Sequence, residues 1–219
     1  MYRRVLGRLS IAASSMAVAA LLAIPAAQAQ DTQPIEGGRI AFDGTSTFVT
    51  TLNGQGIQVE GLGRFGHQKE NASFGVSGGA IDLATGLAQI LQNGEVVFSE
   101  TTTPSGGGTP TTTEVELFSL IVDTTGASPV LTALVSVNGT LQGRSVIADL
   151  TLPSLTFPLT PDRAVLQIDG IGLALDASFA TTLNTAFSLT GANALAGGTA
   201  IGTADVTVLV PYTHKHHKK

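Results

Sequence analysis

The chain has no cysteine and no tryptophan. Without thiols there can be no disulfide, no cysteine nucleophile and no thiolate metal centre, so the fold must rest on burial and backbone hydrogen bonding. Charge is sparse, at 12% of residues, and aromatics make up 5%. Tyrosine occurs only at Tyr2 and Tyr212. A transmembrane barrel carries aromatic girdles at both interfaces, and their absence argues against that architecture. His67 is the single histidine outside the last six residues. Any Ser-His-Asp site would have to use it. No Walker-type phosphate loop and no zinc-protease helix is present, and no nucleophile elbow is expected.

What is there begins with an export pattern. Arg3, Arg4 and Arg8 form a basic start, an apolar run extends from Ile11 to Pro25, and Ala27-Gln28-Ala29 follows. That order is a secretory signal, expected to occupy residues 1–29 and to be removed. The apolar run is too short for a bilayer core, so no membrane span is expected after cleavage. The 190 residues from Gln30 to Lys219 suit one domain with a real core, expected over 30–212, followed by a His/Lys-rich tail at 213–219. Loss of Arg3, Arg4 and Arg8 leaves 8 basic against 16 acidic side chains, a charge of −8. Such a body repels a phosphate backbone, which excludes nucleic acid as the expected partner. The expected location is periplasmic, cell-surface or extracellular.

Gly, Thr, Ser, Val, Leu and Ile dominate, the vocabulary of short strands and tight turns. Candidate strands include Gly38–Phe42, Thr47–Leu52, Ile57–Phe65, Ala72–Val76, Leu87–Leu91, Glu95–Glu100, Thr113–Asp123, Val130–Val137, Arg144–Leu152, Ala164–Leu175 and Ala200–Val210. Strict alternation over Glu114–Val122 sets Val115, Leu117, Ser119 and Ile121 on one face and Glu114, Glu116, Phe118, Leu120 and Val122 on the other. Asn53-Gly54, Asn93-Gly94, Asn138-Gly139 and Asp169-Gly170 are the dipeptides that hairpin turns favour. Asp176–Phe187 predicts one short helix, with Phe179, Leu183 and Phe187 in a stripe and Asp176 or Ser178 as N-cap. Glu100–Thr113, with Pro104, Pro110 and three glycines, predicts a long flexible loop. The fold class that follows is all-β, antiparallel sheets in a sandwich or barrel, with the helix near 176–187 over one end or edge.

Few residues could carry chemistry. His67 lies in a polar connection and is a candidate ligand-binding residue, as is Tyr212. His214, His216 and His217 are candidate ligands for a borderline metal, since neutral imidazoles suit zinc, nickel and copper. Tyrosine and histidine also serve as axial ligands of haem iron. Glu114 and Glu116 share a strand face and could act together or hold calcium, although ordinary strand patterning makes them a solvated outer face.

Three stretches resemble the HtaA-like domains of exported bacterial proteins. They are Phe74-Gly-Val-Ser-Gly-Gly-Ala-Ile-Asp-Leu-Ala-Thr-Gly86, the segment Leu131–Leu150, and Ala180–Phe187 followed by Ala196–Val208. The resemblance implies an all-β extracytoplasmic domain, and some members of that family capture haem through tyrosine and histidine. This chain departs from that pattern. The body has no tyrosine before Tyr212, and Leu91-Gln92-Asn93-Gly94 stands where the family tends to show a histidine before glycine.

These readings converge on an exported, non-enzymatic binding module that requires no cofactor, with haem or another small apolar molecule as its ligand. The alternatives are a structural or surface-interaction protein without a small-molecule site and a hydrolase built on two carboxylates.

Overall fold

The computed structural model describes residues 32–63, 66–68 and 71–211. The expected signal segment and the tail therefore lie outside the described residues. In chain order the elements are β1 (Thr32–Pro34), β2 (Gly37–Gly44), α1 (Ser46–Gly54), β3 (Gln58–Gly63), β4 (Gly66–Gln68), β5 (Asn71–Asp82), β6 (Ala88–Asn93), β7 (Glu95–Thr102), β8 (Thr111–Asp123), β9 (Val130–Val137), β10 (Thr140–Thr151), β11 (Val165–Leu175), α2 (Ala177–Ala186) and β12 (Ala200–Leu209).

Eight strands close into an antiparallel barrel in the order β5, β2, β12, β11, β10, β9, β8, β6 and back to β5. Closure removes the free sheet edges that an open sheet would expose. The inner face holds an apolar core that includes Ile40, Phe74, Leu120, Val135, Leu175 and Val206, each almost fully buried.

One strand crosses out of this ring. β6 pairs with β5, but beyond Gly94 the chain continues as β7 and pairs instead with β3. β8 serves both, through Gln89–Asp123, Ile90–Val122 and Leu91–Ile121 with β6, and through a long ladder from Glu95–Phe118 to Thr102–Thr111 with β7. The wall therefore forks at Gly94. Among the described residues no ladder joins β3 to the Asn71–Phe74 half of β5, so a seam runs down the barrel below the fork.

Both helices cover the same end. Gly202 of β12 is paired with Gly44, the last residue of β2, and with Leu173 near the end of β11. α1 follows the first of these strands and α2 the second. The α2 expectation holds: Asp176 Oδ1 accepts from Ser178 N at 2.8 Å and Phe179 N at 3.0 Å, and Phe179, Leu183 and Phe187 are buried. Its cover of one open end is likewise as expected.

Several local expectations are corrected. Thr47–Leu52 is helix α1, not a strand. Thr45 Oγ1 accepts from Phe48 N at 3.3 Å, and Phe48 and Leu52 bury one helical stripe. β-branched residues disfavour a helix only slightly, and packing overrides that. Of the four turn dipeptides, Asn138-Gly139 makes a two-residue hairpin with φ of 49° and 75°. Asn53-Gly54 ends α1, Asn93-Gly94 is the fork, and Asp169-Gly170 lies inside β11 at a register shift between Ile168 and Ile171. The Glu100–Thr113 loop is shorter than expected, because β7 and β8 pair out to Thr102 and Thr111 and leave only 103–110 as connection.

The parity of β8 also changes partway. Val115 and Leu117 are buried as the alternation requires, but so are Leu120 and Val122. Ser119, at φ 52°, is the extra residue of a bulge between Phe118 and Ile121. A bulge adds one residue to one strand and so exchanges the faces beyond it.

Candidate functional site

The interior is not filled at the helical end. A cavity of about 130 Å³ lies beneath α1 and beside the seam. Phe42, Phe48, Phe74 and Phe98 line it, four of the nine phenylalanines in the chain. Each arrives from a different element: β2, α1, β5 and β7. The Phe42 and Phe74 rings are tilted with centroids 5.6 Å apart, and Phe98 stands edge-on to Phe179 of α2 at 6.0 Å. Such pairs hold the rings in preferred orientations.

Depth along the cavity is graded. Phe74, Leu117, Leu120 and Ile147 form the buried floor. Phe42, Val49, Val59 and Ala72 are half-buried and form the mouth. Gly44 and Gly61 line it without a side chain. Every described lining residue is apolar or glycine. The site can take up a molecule by burial and shape, and those residues offer no side-chain acid, base or nucleophile.

His67 falls on β4 and is paired with Leu62 of β3, while Gly61 at the cavity is paired with Gln68. The side chain of His67 is not among those described. Tyr212, His214, His216 and His217 lie outside the described residues. No group of three or more metal-ligating side chains is gathered among the described residues.

The carboxylates collect elsewhere. Glu114 and Glu116 share the outer face of β8, and their ladders set them opposite Ser99 and Val97. Glu95 and Glu60 belong to the same face, since Glu60 is also opposite Val97. Burial, and then the charges of Glu116 and Glu114, push the Glu95 carboxyl above its ordinary value. This face is turned away from Val96 and Phe98, which line the cavity, so the acidic pair and the cavity are on opposite sides of one sheet.

At the other end of β8, burial alone would raise Asp123. Hydrogen bonds from the Thr125 hydroxyl at 2.6 Å, the Thr125 N–H at 2.9 Å and the Gln89 amide at 2.9 Å outweigh it and hold the carboxyl below its ordinary value.

Gly75-Val76-Ser77-Gly78-Gly79 has the Gly-x-Ser-x-Gly spacing of a nucleophile elbow, which corrects the expectation that the chain has none. The elbow needs a sharp turn from strand to helix. Here all five residues run inside β5, and Ser77 is exposed on the outer face, so the chemistry of that motif has no footing. The residues that line the cavity were also missed. Its residues come from nine elements spread from Phe42 to Ile201, and no spacing rule links them.

No family model and no curated protein matches the sequence. Among solved structures, the C-terminal domain of HtaA from Corynebacterium glutamicum is similar with a TM-score of 0.54 and 17% identity, over 82% of this chain and 99% of that one. A domain-swapped dimer of a variant of the same domain aligns with a TM-score of 0.47 and 17% identity, over 75% of this chain and 91% of that one. The resemblance read from the three sequence stretches thus holds at the level of architecture: the chain has the fold of the HtaA C-terminal domain.

Proposed function

We propose that the chain is an exported binding module that holds a small apolar molecule in the phenylalanine-lined cavity. The observation that carries this is an apolar cavity reaching from a half-buried mouth to a fully buried floor inside the barrel. Its volume is close to that of an engineered cavity of about 150 Å³ that binds benzene in another protein. Close packing is the rule inside proteins, so a void of this size forfeits contacts that an apolar occupant restores. A purely structural protein would gain stability by filling it.

Haem is the second reading, supported by the fold shared with the HtaA domain and by the family resemblance of the sequence. It would need an iron ligand from His67 or Tyr212, and a porphyrin is much larger than one ring, so the seam would have to part. A single experiment separates the two. The segment Gln30–Lys219 and a version ending at Pro211 are titrated with toluene by calorimetry and with haem by absorbance. Saturable toluene binding, one per chain and lost in Ala72→Leu with unchanged far-ultraviolet dichroism, supports the small-ligand reading. A Soret shift in both versions without toluene binding would replace it with the haem reading.

A further inference from the structure

Gln92 belongs to the inner face of β6: Ala88, Ile90 and Gln92 are buried while Gln89, Leu91 and Asn93 are exposed. Its side chain is 3% exposed, and neither Oε1 nor Nε2 has a hydrogen-bond partner. A primary amide offers two donors and an acceptor oxygen, and leaving all of them unmatched in an apolar interior is unfavourable. Nearly all buried polar groups are hydrogen-bonded, so an exception asks for a cause beyond packing.

Its position supplies one. The ladder to β5 sets Gln92 against Val76, one inward position from Phe74. The ladder to β8 pairs Ile90 with Val122 and Leu91 with Ile121 and ends there, with Leu120 next along β8. Phe74 and Leu120 both line the cavity floor. Along its own strand the next inward position is Gly94, at φ 152°, where a Cβ would stand 2.0 Å from Phe74 Cδ1. The Phe74 ring thus occupies the space a side chain at 94 would take, and the same ring lines the cavity.

We infer that Gln92 is the polar recognition group of this cavity, and that the ligand is an uncharged molecule with an apolar body and one hydroxyl or amide group. The inference rests on the cavity being a ligand site and adds the class of ligand. When the Phe74 ring turns aside, the ligand's polar group meets the amide. A hydroxyl donates and accepts, as the amide does, so each can satisfy the other. An ion is excluded at this position because no described lining residue carries a counter-charge, and a desolvated charge without a partner is costly.

The test compares toluene with benzyl alcohol, which differ by one hydroxyl, by calorimetry on the segment Gln30–Lys219. The ratio of their affinities is expected to shift about tenfold toward toluene in Gln92→Leu, the loss of roughly one hydrogen bond. Gln92→Met serves the same purpose if the leucine variant does not fold. In the unmodified protein, the Gln92 side-chain amide resonances are expected to move with benzyl alcohol and not with toluene. An unchanged affinity ratio and static amide resonances, with toluene still bound, would sink the recognition role and leave the cavity reading intact. No binding of either compound would remove the cavity reading and this inference with it.

Discussion

The guanidinium of Arg144 on β10 donates from Nη1 to the carbonyl oxygen of Ser119 on β8 at 3.0 Å, spanning the strand between them. The same Nη1 donates to Thr132 Oγ1 on that middle strand, β9, at 3.1 Å. Ser119 is the left-handed residue of the bulge. The side chain of Arg144 thus ties three strands at the point where β8 exchanges its faces.

Arg144→Ala is expected to lower stability by about 1 kcal/mol, since the group is exposed and its hydrogen bonds compete with water. Ser119→Gly should act in the other direction by up to about 1 kcal/mol, because glycine adopts positive φ without the steric cost that serine bears. Chemical denaturation of both variants checks the pair. Destabilisation by Ser119→Gly would contradict this account of the bulge.

Gly94→Ala is expected to be costly, about 2 kcal/mol or more, because the new Cβ falls 2.0 Å from Phe74 Cδ1 and 2.6 Å from Phe74 Cε1 in a buried site. Gly139→Ala is the control. Its φ is 75° but nothing lies within 4 Å of the built Cβ, so only the conformational cost applies, about 1 kcal/mol. Similar melting temperatures for the two variants would show that Phe74 does not press on the fork.

Glu95 sets a pH dependence of defined sign. Its folded-state carboxyl titrates above its ordinary 4.5. Between 4.5 and that raised value the folded state holds more protons than the unfolded state, so stability falls as pH rises through this window and the penalty is then constant. Glu95→Gln is therefore expected to be more stable than the parent at neutral pH and equal to it below the window. Added salt should shrink the part due to Glu116 and Glu114. Thermal melts between pH 4 and pH 7 read this directly. Asp123 behaves oppositely: its contribution is present above its ordinary 3.8 and is lost as pH falls through its depressed folded value, so Asp123→Asn should flatten the acid limb.

Asp176→Ala removes the carboxylate that accepts two backbone N–H groups at the start of α2. A cap of this kind is worth about 1 kcal/mol. Phe179 packs against Phe98 at the cavity, so loosening α2 should also weaken toluene binding. Loss of stability without any change in toluene affinity would separate the helix from the site.

What was legible in the sequence follows the range of the forces involved. α2 was legible because its stripe and its cap are local, i to i+4 and i to i+3, and both agree. α1 was not, because Thr47, Val49, Thr50 and Thr51 carry the residue types of a strand, and only the burial of Phe48 and Leu52 beneath the barrel end decides for the helix. Asn138-Gly139 became a hairpin because its flanking strands pair with each other. Asn93-Gly94 did not, because β6 and β7 both find partners elsewhere, in β5, β8 and β3. The dipeptide permits positive φ, and the surrounding ladders choose how it is used.

The sequence by itself determined an all-β antiparallel chain with one capped helix at Ala177–Ala186, because alternation, turn residues and caps act over a few residues. The tertiary structure alone decided that the strands close into a ring, that the wall forks at Gly94, and that phenylalanines from β2, α1, β5 and β7 enclose a cavity. Closure, register and enclosed space depend on contacts between distant residues. One bulge at Ser119 is enough to exchange the faces of a strand, and no local pattern records where such a shift occurs.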